Sequence, residues 1–272
     1  MRNQFRLAAI DLDDTLLGPE KQISDDNRRA IDSLRGQGIQ IVLASGRRYE
    51  NMIRYAGELG LTGPMITCQG ALALEIGSRR SLYERPLDPM HAARVIDEGL
   101  SRSLTLLRYH IEATYANRRD HNTDLYDRRS GDSRVVVREF EELSGQVLKV
   151  IWLDDPQNIP AHAAWSANNI PEVHSVATDP EYLELMDWGA NKAQALEAVA
   201  SSLGIAREEV VAFGDGNNDA GMLEWAGFGV AMPHGSPAAQ AAADAIGPDD
   251  VPDTALARSV ELFCLGDSGV VA

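Results

Sequence analysis

The sequence predicts an α/β protein whose core is a doubly wound parallel sheet, interrupted by an inserted α+β domain. Short and nearly continuous apolar runs alternate with helical patterns at both ends of the chain, which is typical of buried parallel strands joined by crossover helices. The middle of the chain has a different rhythm, in which apolar runs follow one another with turn residues between them. Together these patterns indicate a core that one part of the chain begins and another part completes.

The first part of the chain has the alternating rhythm. Residues 6–10 form a nearly continuous apolar run, as expected of a strand that is covered on both faces. Ser24 is suited to cap a helix, and the acidic Asp25 and Asp26 suit the positive end of that helix. In order, we expect strand, helix, strand, helix and strand at residues 6–10, 24–38, 39–45, 47–60 and 64–68.

The middle of the chain predicts the inserted domain, residues 82–185. A hairpin is expected around Gly77, and Asp88 is suited to cap a helix that runs to about residue 102. The polar residues 120–133 are predicted to be a connector, because they contain few apolar positions. Strands are expected at residues 103–109, 112–119, 147–153, 174–178 and 182–187, with a further helix at 159–169.

The alternating rhythm returns after the inserted domain. Ser236 and Pro237 are typical of the start of a helix. Residues 1–81 and 186–272 are therefore predicted to form the core. In order, we expect helix, strand, helix, strand, helix and helix at residues 191–204, 209–215, 218–227, 228–232, 236–245 and 251–264.

The composition narrows the classes of partner. The 272 residues carry a formal net charge of −16, so repulsion excludes a broad surface for nucleic acid or for an anionic membrane. A small phosphorylated substrate stays compatible, since a local cation inverts the local field. No apolar run reaches the length of a membrane span or has the form of a signal peptide, so we expect a cytoplasmic protein. In that reducing compartment Cys68 and Cys264 are expected to be reduced packing residues. The sequence does not indicate the oligomeric state.

Carboxylates end two of the predicted core strands. Asp11 and Asp13 are two positions apart, so both side chains lie on one face as the first strand ends. Asp215 ends another apolar strand, and Asp219 follows it. In open parallel sheets such strand ends meet at one edge, where carboxylates without a cation repel one another and take up protons. A hard divalent cation such as Mg²⁺ would relieve that repulsion. The alternative interpretation is that these aspartates are turn residues or helix caps.

Four motifs extend this pattern to a known family. They are DLDDT at 11–15, SGR at 45–47, Lys192 in NKAQAL, and GDGNND at 214–219. In order and spacing they resemble the motifs of the haloacid dehalogenase superfamily, and more narrowly those of its Cof-type phosphatases. The resemblance implies a Rossmann-like core with an inserted α/β cap domain, Mg²⁺ as the cofactor, and hydrolysis of phosphate esters.

The resemblance also implies roles for the acidic residues. Asp11 would attack phosphorus, form an aspartyl phosphate, and contact the metal. Asp13 would protonate the leaving oxygen, deprotonate the attacking water, and offer its backbone carbonyl to Mg²⁺. Asp215 would be a further protein ligand. Asp219 would join the metal site, orienting Lys192 or a metal-bound water.

Five residues would bind the phosphate ester. Ser45 and Gly46 follow the second strand, where small residues let backbone N–H groups approach phosphoryl oxygens and the Ser45 hydroxyl adds a donor; a helix cap is the alternative for Ser45. Lys192 would be a catalytic cation beside the phosphoryl group. Asn218 would hydrogen-bond to the phosphate. Arg47 would reach the substrate beyond the phosphate, with a plain surface arginine as the alternative.

We therefore expect a Mg²⁺-dependent phosphomonoesterase that acts on small organophosphates, such as sugar phosphates or phosphorylated cofactors. A phosphomutase with the same chemistry is one alternative, and a non-catalytic phosphate-sensing domain is another. The chain departs from the family pattern at Gln69, where Asn is usual, and at Pro233 and His234, where Gly-Asn is usual. These departures concern substrate choice, and His234 is either a new site residue or a loop histidine.

Overall fold

The structure of the protein, a computed structural model, describes residues 5–130, 135–249 and 251–265. In chain order the strands are β1 (Leu7–Asp11), β2 (Gln40–Ala44), β3 (Pro64–Thr67), β4 (Leu72–Glu75), β5 (Ser81–Glu84), β6 (Thr105–Tyr109), β7 (Thr114–Ala116), β8 (Val136–Val137), β9 (Lys149–Leu153), β10 (His174–Asp179), β11 (Tyr182–Met186), β12 (Val210–Gly214), β13 (Phe228–Ala231) and β14 (Ala245–Ile246). The helices are α1 (Asp25–Gly36), α2 (Tyr49–Glu58), α3 (Pro89–Ser101), α4 (His121–Ser130), α5 (Ile159–Asn169), α6 (Lys192–Ser202), α7 (Ala220–Trp225), α8 (Pro237–Ala242) and α9 (Pro252–Val260).

These elements group into two units. One comprises the described residues up to Tyr83 together with those from Asn191 onward, and the other comprises Glu84–Ala190. The first unit is therefore built from two separate parts of the chain. That residues 82–185 act as a cap domain stays a prediction.

The first unit contains an eight-stranded sheet in the order β14-β13-β12-β1-β2-β3-β4-β5. Strand β1 lies between β2 and β12 and is parallel to both. Strands β3 and β13 continue the parallel arrangement on either side, whereas β4 returns antiparallel to β3. The chain extends the sheet from β1 in one direction and later in the other, which creates a switch point at the carboxyl end of β1. The predicted doubly wound α/β fold is confirmed.

Helices cover both faces of this sheet. Along β1, Ala8 and Ile10 belong to one apolar core, and Leu7 and Ala9 to the other, as the two-residue period of a strand requires. Helices α1, α2 and α9 contribute side chains to the first core, and α6, α7 and α8 to the second. All of β1 is buried, Asp11 included, so this strand ends in a carboxylate that is largely shielded from water.

The second unit contains a six-stranded sheet in the order β10-β11-β9-β6-β7-β8. Its neighbouring strands are antiparallel except for β7 and β8, which are parallel. Trp152 of β9 is fully buried in a core that includes Val95 of α3 and Ile159 of α5. Its indole N–H donates to the carbonyl oxygen of Val95 at 3.2 Å. The antiparallel character predicted for the middle of the chain is confirmed.

The connector predicted at residues 120–133 is wrong, because this segment contains helix α4. Asp120 caps the helix: its Oδ1 accepts hydrogen bonds from the backbone N–H groups of Asn122 and Thr123 at 3.0 and 3.2 Å. A helix with so few apolar positions lacks the periodic pattern from which helices are predicted. Residues 131–133 of the predicted connector lie outside the described residues.

The helix predicted at residues 236–245 is too long. It ends at Ala242, and the chain then forms β14 beside β13. Asp244 directs this change, because its backbone N–H donates to the carbonyl oxygen of Gly229 at 2.9 Å and its Oδ2 accepts from the Gly229 N–H at 2.8 Å. A contact between residues distant in the chain therefore overrides the helical preference of the alanine-rich segment.

Two further features bear on the surroundings of the protein. Cys68 and Cys264 are both free thiols, the first buried and the second partly buried. None of the helices within the described ranges is at once long enough and apolar enough to cross a bilayer.

Candidate active site

The carboxyl ends of the central strands meet at one edge of the first unit's sheet. Asp11 ends β1 and pairs in register with Ala44, the last residue of β2. Ser45 is therefore the next residue at the same edge. Strand β12, on the other side of β1, ends at Gly214, and Asp215 follows it. The motifs that the sequence places far apart are thus brought together around the end of β1.

Three carboxylates meet at this edge. Asp11, Asp215 and Asp219 each offer an oxygen, and these oxygens all lie within 4.8 Å of one another. Burial, and after it the charge of Asp219, raises the pKa of Asp11 well above its usual value. The same two causes raise the pKa of Asp215 to about 6. A cluster of hard oxygen donors with excess negative charge fits a divalent cation, which would replace the protons that Asp11 and Asp215 otherwise take up.

Lys192 lies beside these carboxylates and is itself 1% exposed. Its Nζ donates to Asp11 Oδ1 at 2.5 Å and to Asp219 Oδ1 at 2.6 Å. Burial alone would lower the pKa of Lys192, but the charges of Asp11 and Asp219 raise it above its usual value. Helix α6 fixes this position, because Lys192 is its first residue and Asn191 Oδ1 caps it by accepting from the Gln194 N–H at 2.9 Å.

Asp219 organises the turn after β12. Its Oδ2 accepts hydrogen bonds from the backbone N–H groups of Asp215 and Gly216 at 3.1 and 2.9 Å, while its Oδ1 accepts from Lys192. Gly214 is needed beside it, because a Cβ at that position would lie 2.6 Å from the Cβ and Cγ of Asp219. Asp219 thereby orients both Lys192 and the turn at Asp215. Its predicted place in a metal site stays a prediction.

The Asp13 carboxylate is paired with cations instead of joining the three-carboxylate cluster. Arg47 donates to it from Nε to Oδ2 at 2.7 Å and from Nη2 to Oδ1 at 2.8 Å, and Lys21 Nζ lies 3.1 Å from Oδ1. Burial alone would raise the pKa of Asp13, but Arg47 and Lys21 lower it to about 2. The carboxylate is therefore ionised. The metal ligand predicted at this position is the backbone carbonyl oxygen of Asp13. The contacts with Arg47 and Lys21 use only the side-chain oxygens, so they do not occupy that carbonyl.

Ser45 and Gly46 follow β2 at the same edge. Ser45 is 2% exposed, and its Oγ accepts from the Arg47 N–H at 3.1 Å, so its hydroxyl hydrogen can be donated elsewhere. The alternative interpretation of Ser45 as a helix cap is wrong, since α2 begins at Tyr49 with Arg48 as its capping residue. Arg47 is not a plain surface arginine either, because its side chain is only 12% exposed.

Gln69 and His234, two positions at which the sequence departs from the family pattern, both contact the loops of the site. Asn218 Nδ2 donates to Gln69 Oε1 at 2.8 Å. His234 Nε2 donates to the carbonyl oxygen of Asp14, next to Asp13, at 2.6 Å. In the sequence, these contacts are indicated only by the departure of both positions from the residues that are usual in the motifs.

This edge of the sheet therefore combines a buried anionic cluster with a buried cation and nearby hydrogen-bond donors. Asp11 is shielded from water and held by Lys192, which suits a nucleophile. Ser45 and the backbone beside it suit the binding of an anionic group. The arrangement is equipped to bind a metal ion and to transfer an anionic group to a carboxylate.

Comparison with known proteins gives the family. Residues 8–257 match the sequence model of the haloacid dehalogenase-like hydrolases. The chain is 30% identical over 251 residues to the 5-amino-6-(5-phospho-D-ribitylamino)uracil phosphatase YcsE of Bacillus subtilis, with 92% of each protein covered. It is 26% identical over 262 residues to the pyridoxal phosphate phosphatase YbhA of Escherichia coli, which covers 92% of this chain and 95% of that protein.

A solved structure is similar over nearly the whole chain. A haloacid dehalogenase-like hydrolase from Bacteroides thetaiotaomicron matches with a TM-score of 0.83 and 26% sequence identity, covering 94% of this chain and 98% of the other. Sequence and structure therefore point to the same family as the four motifs. The chain belongs to the haloacid dehalogenase-like hydrolases and is a Cof-type member of that superfamily.

Proposed function

We propose that the protein is a Mg²⁺-dependent phosphomonoesterase that hydrolyses small organophosphates through an aspartyl-phosphate intermediate. The observation that carries this proposal is the buried contact of Lys192 with Asp11, beside the carboxylates of Asp215 and Asp219. A carboxylate in such surroundings is shielded from water and has a cation beside it. Those are the conditions under which it can attack an anionic phosphate.

Mg²⁺ fits the three-carboxylate cluster of Asp11, Asp215 and Asp219. Their side-chain oxygens would hold the ion together with the backbone carbonyl oxygen of Asp13. When bound, the ion supplies the positive charge that lets an anionic nucleophile approach an anionic phosphate. Thr15 supports the cluster, because its Oγ1 donates to Asp215 Oδ1 at 2.8 Å and so fixes that carboxylate.

In the first step the Asp11 carboxylate attacks phosphorus. A bond forms between its oxygen and phosphorus, the ester bond breaks, and the leaving oxygen takes a proton from Asp13. The hydroxyl of Ser45 and the amide of Asn218 would hold phosphoryl oxygens. Lys192 would balance the charge that moves onto the transferred group.

In the second step water attacks phosphorus and the bond to Asp11 breaks, while Asp13 accepts the proton of the water. The carboxylate of Asp13 is ionised and can accept this proton, although its pairing with Arg47 keeps it a weak base until that pairing loosens. To act as an acid, Asp13 must first take up a proton, which requires its two hydrogen bonds to Arg47 to loosen. Arg47 would therefore alternate between Asp13 and a part of the substrate beyond the phosphate.

The relatives support a small phosphorylated metabolite as the substrate. One is named as a phosphatase of a phosphorylated ribitylaminouracil and another as a pyridoxal phosphate phosphatase. Sugar phosphates or phosphorylated cofactors are the proposed substrates of this chain. The unit Glu84–Ala190 would act as a cap that recognises the leaving group and excludes water. The cytoplasmic location stays a prediction.

Release of inorganic phosphate tests the proposal. We expect the wild type with Mg²⁺ to turn over p-nitrophenyl phosphate and at least one member of a panel of phosphorylated metabolites. Asp11→Asn should have no measurable turnover while its circular-dichroism spectrum remains that of the folded wild type. Transfer to a second ester without free phosphate would favour the phosphomutase. A long-lived phosphoaspartate without turnover would favour the sensing domain.

A further inference from the structure

The turn between β3 and β4 has an unusual backbone. Cys68, Gln69 and Gly70 have φ angles of 53°, 62° and 91°. The left-handed region is unfavourable for residues other than glycine, so contacts must hold this turn in place. At Gly70 the chain is too close for a side chain, because a Cβ there would lie 2.2 Å from the carbonyl oxygen of Asn191. Such outliers cluster at sites where a side chain is needed in one position.

The same turn is bonded to the loop that follows β2. The Cys68 N–H donates to the carbonyl oxygen of Arg47 at 2.8 Å. The Gln69 N–H donates to the carbonyl oxygen of Ser45 at 3.1 Å. The backbone of Gln69 is therefore fixed relative to the residues proposed to bind the phosphate.

The Gln69 side chain is 8% exposed and spans two loops of the site. Its Oε1 accepts from Asn218 Nδ2 at 2.8 Å. Its Nε2 lies against Gly46, since a Cβ on that glycine would be 2.5 Å from Nε2. Among residues 5–130, 135–249 and 251–265, no acceptor receives a hydrogen bond from this Nε2. This Nε2 is not among the fully enclosed polar atoms that lack a partner, so it is accessible to a ligand, and a phosphoryl oxygen is an acceptor that it could reach in these loops.

We propose that Gln69 contacts the substrate, and that its Nε2 donates a hydrogen bond to a non-bridging oxygen of the bound phosphoryl group. This inference rests on the proposed phosphomonoesterase function. Asn218 holds the carboxamide so that Nε2 faces Gly46, the residue after Ser45. A neutral donor adds a hydrogen bond to the phosphate without adding charge, so it contributes to binding while the product anion can still leave.

Gln69→Glu separates this contact from a purely structural role. Glutamate has the same length, and one of its oxygens still accepts from Asn218 Nδ2, so the link between the two loops is kept. Its other oxygen replaces Nε2 and puts a negative charge where the donor was. Gln69→Met removes the donor and the acceptor together. Gln40→Glu is the matched control, because Gln40 is exposed and is the first residue of β2, at the opposite end of that strand from Ser45.

The probe is inorganic phosphate, titrated calorimetrically into the full-length proteins with Mg²⁺ present. We expect Gln69→Glu to bind phosphate at least about tenfold more weakly than Gln40→Glu, and Gln69→Met to bind it about threefold to tenfold more weakly than the wild type. With p-nitrophenyl phosphate, KM should rise while kcat changes less, because the contact is already made in the bound substrate. Thermal unfolding should show that both Gln69 variants remain folded at the temperature of the titration.

Phosphate binding by Gln69→Glu that equals the control would overturn the inference. So would a loss of binding that is accompanied by an equal fall of the unfolding temperature in both Gln69 variants, which is the signature of a structural role. If the wild type binds phosphate but hydrolyses no ester, the proposed function fails while the calorimetric comparison still decides the role of Gln69. If the wild type does not bind phosphate, both are overturned.

Discussion

Lys192 Nζ lies 2.5 Å from Asp11 Oδ1, although 181 positions separate the two residues in the chain. Both side chains are buried, with exposures of 1% and 8%. The whole unit Glu84–Ala190 lies between them in the sequence, so the site is complete only when the last part of the chain joins the sheet beside β1. Removal of the cation alone from such a pair leaves buried negative charge without a partner, and this strongly destabilises the folded protein.

Lys192→Met removes the cation from this site. Asp11 and Asp219 then stay buried without their partner, so we expect the metal-free protein to lose about 3–5 kcal/mol of unfolding free energy at about pH 8. The loss should be smaller near pH 5, because Asp11, whose pKa burial raises, then takes up a proton instead of remaining charged. Urea unfolding in the presence of a chelator at the two pH values measures both quantities.

Lys192→Arg is the control for this prediction. It keeps the positive charge, so its loss of unfolding free energy should be smaller than that of Lys192→Met. An unchanged stability of Lys192→Met, or a loss that is the same at both pH values, would contradict the account of the buried pair.

The raised pKa of Asp215 predicts how Mg²⁺ binding depends on pH. Burial and the charge of Asp219 raise the pKa of Asp215 to about 6, so below that pH a proton occupies its carboxylate. A metal ion must displace this proton. We therefore expect the apparent affinity for Mg²⁺ to fall at least about tenfold per pH unit below about pH 6. Calorimetric titration with Mg²⁺ from about pH 5 to about pH 8 measures the dependence.

Thr15→Val shifts this dependence in a known direction. The Thr15 hydroxyl donates to Asp215 Oδ1 and lowers the pKa of Asp215, so its removal should move the onset of the fall to higher pH. An affinity for Mg²⁺ that does not vary with pH in either protein would show that Asp215 is not a ligand.

Arg47→Met should change the pH profile of turnover. Without the two hydrogen bonds and the charge of Arg47, the pKa of Asp13 rises from its value of about 2. At any given pH a larger fraction of Asp13 is then protonated and able to act as an acid. The alkaline limb of kcat/KM, which reports the free enzyme, should therefore move to higher pH, even though its maximal value falls because Arg47 is also proposed to bind substrate. A profile with unchanged limbs would mean that the pair does not control the proton of Asp13.

The unit Glu84–Ala190 contains a second buried ion pair. Lys149 Nζ donates to Glu184 Oε2 at 2.8 Å between the neighbouring strands β9 and β11, and Lys149 is 1% exposed. Lys149→Met alone leaves a buried carboxylate unpaired and should cost about 3–5 kcal/mol of unfolding free energy. Adding Glu184→Leu should recover most of that loss, since no charge then remains. Urea unfolding of the wild type, both single variants and the double variant measures the coupling free energy between Lys149 and Glu184. If the losses of the two single variants simply added up in the double variant, the two residues would not be coupled.

The strands that carry the site could be predicted from the sequence. Apolar runs that end in Asp11, Ser45 and Asp215, with helical patterns between them, are compatible with few arrangements other than a parallel sheet whose strand ends share an edge. Helix α4 could not be predicted in this way, because Asp120 caps it and the buried Tyr126 anchors it, and neither produces a periodic apolar pattern.

The side-chain contacts within the site were harder to predict than the strands. Gln69 and Asn218 are 149 positions apart, and their hydrogen bond depends on a left-handed turn and on the absence of a side chain at Gly46. Motif spacing contains no information about either condition. The same holds for the contact of His234 with the carbonyl oxygen of Asp14, and for the pairing of Asp13 with Arg47. The catalytic and binding roles of the predicted residues remain predictions that the experiments above test.

The most direct test is to trap phosphate on Asp11. In Asp13→Asn, p-nitrophenyl phosphate can still react, because its leaving group needs no acid, whereas hydrolysis of the intermediate lacks its base. Acid quenching followed by borohydride reduction and mass spectrometry should then find Asp11 modified in most molecules, and unmodified in Asp11→Asn. Continued release of phosphate by the wild type with no modification of Asp11 in Asp13→Asn, or with modification of a different residue, would contradict the account.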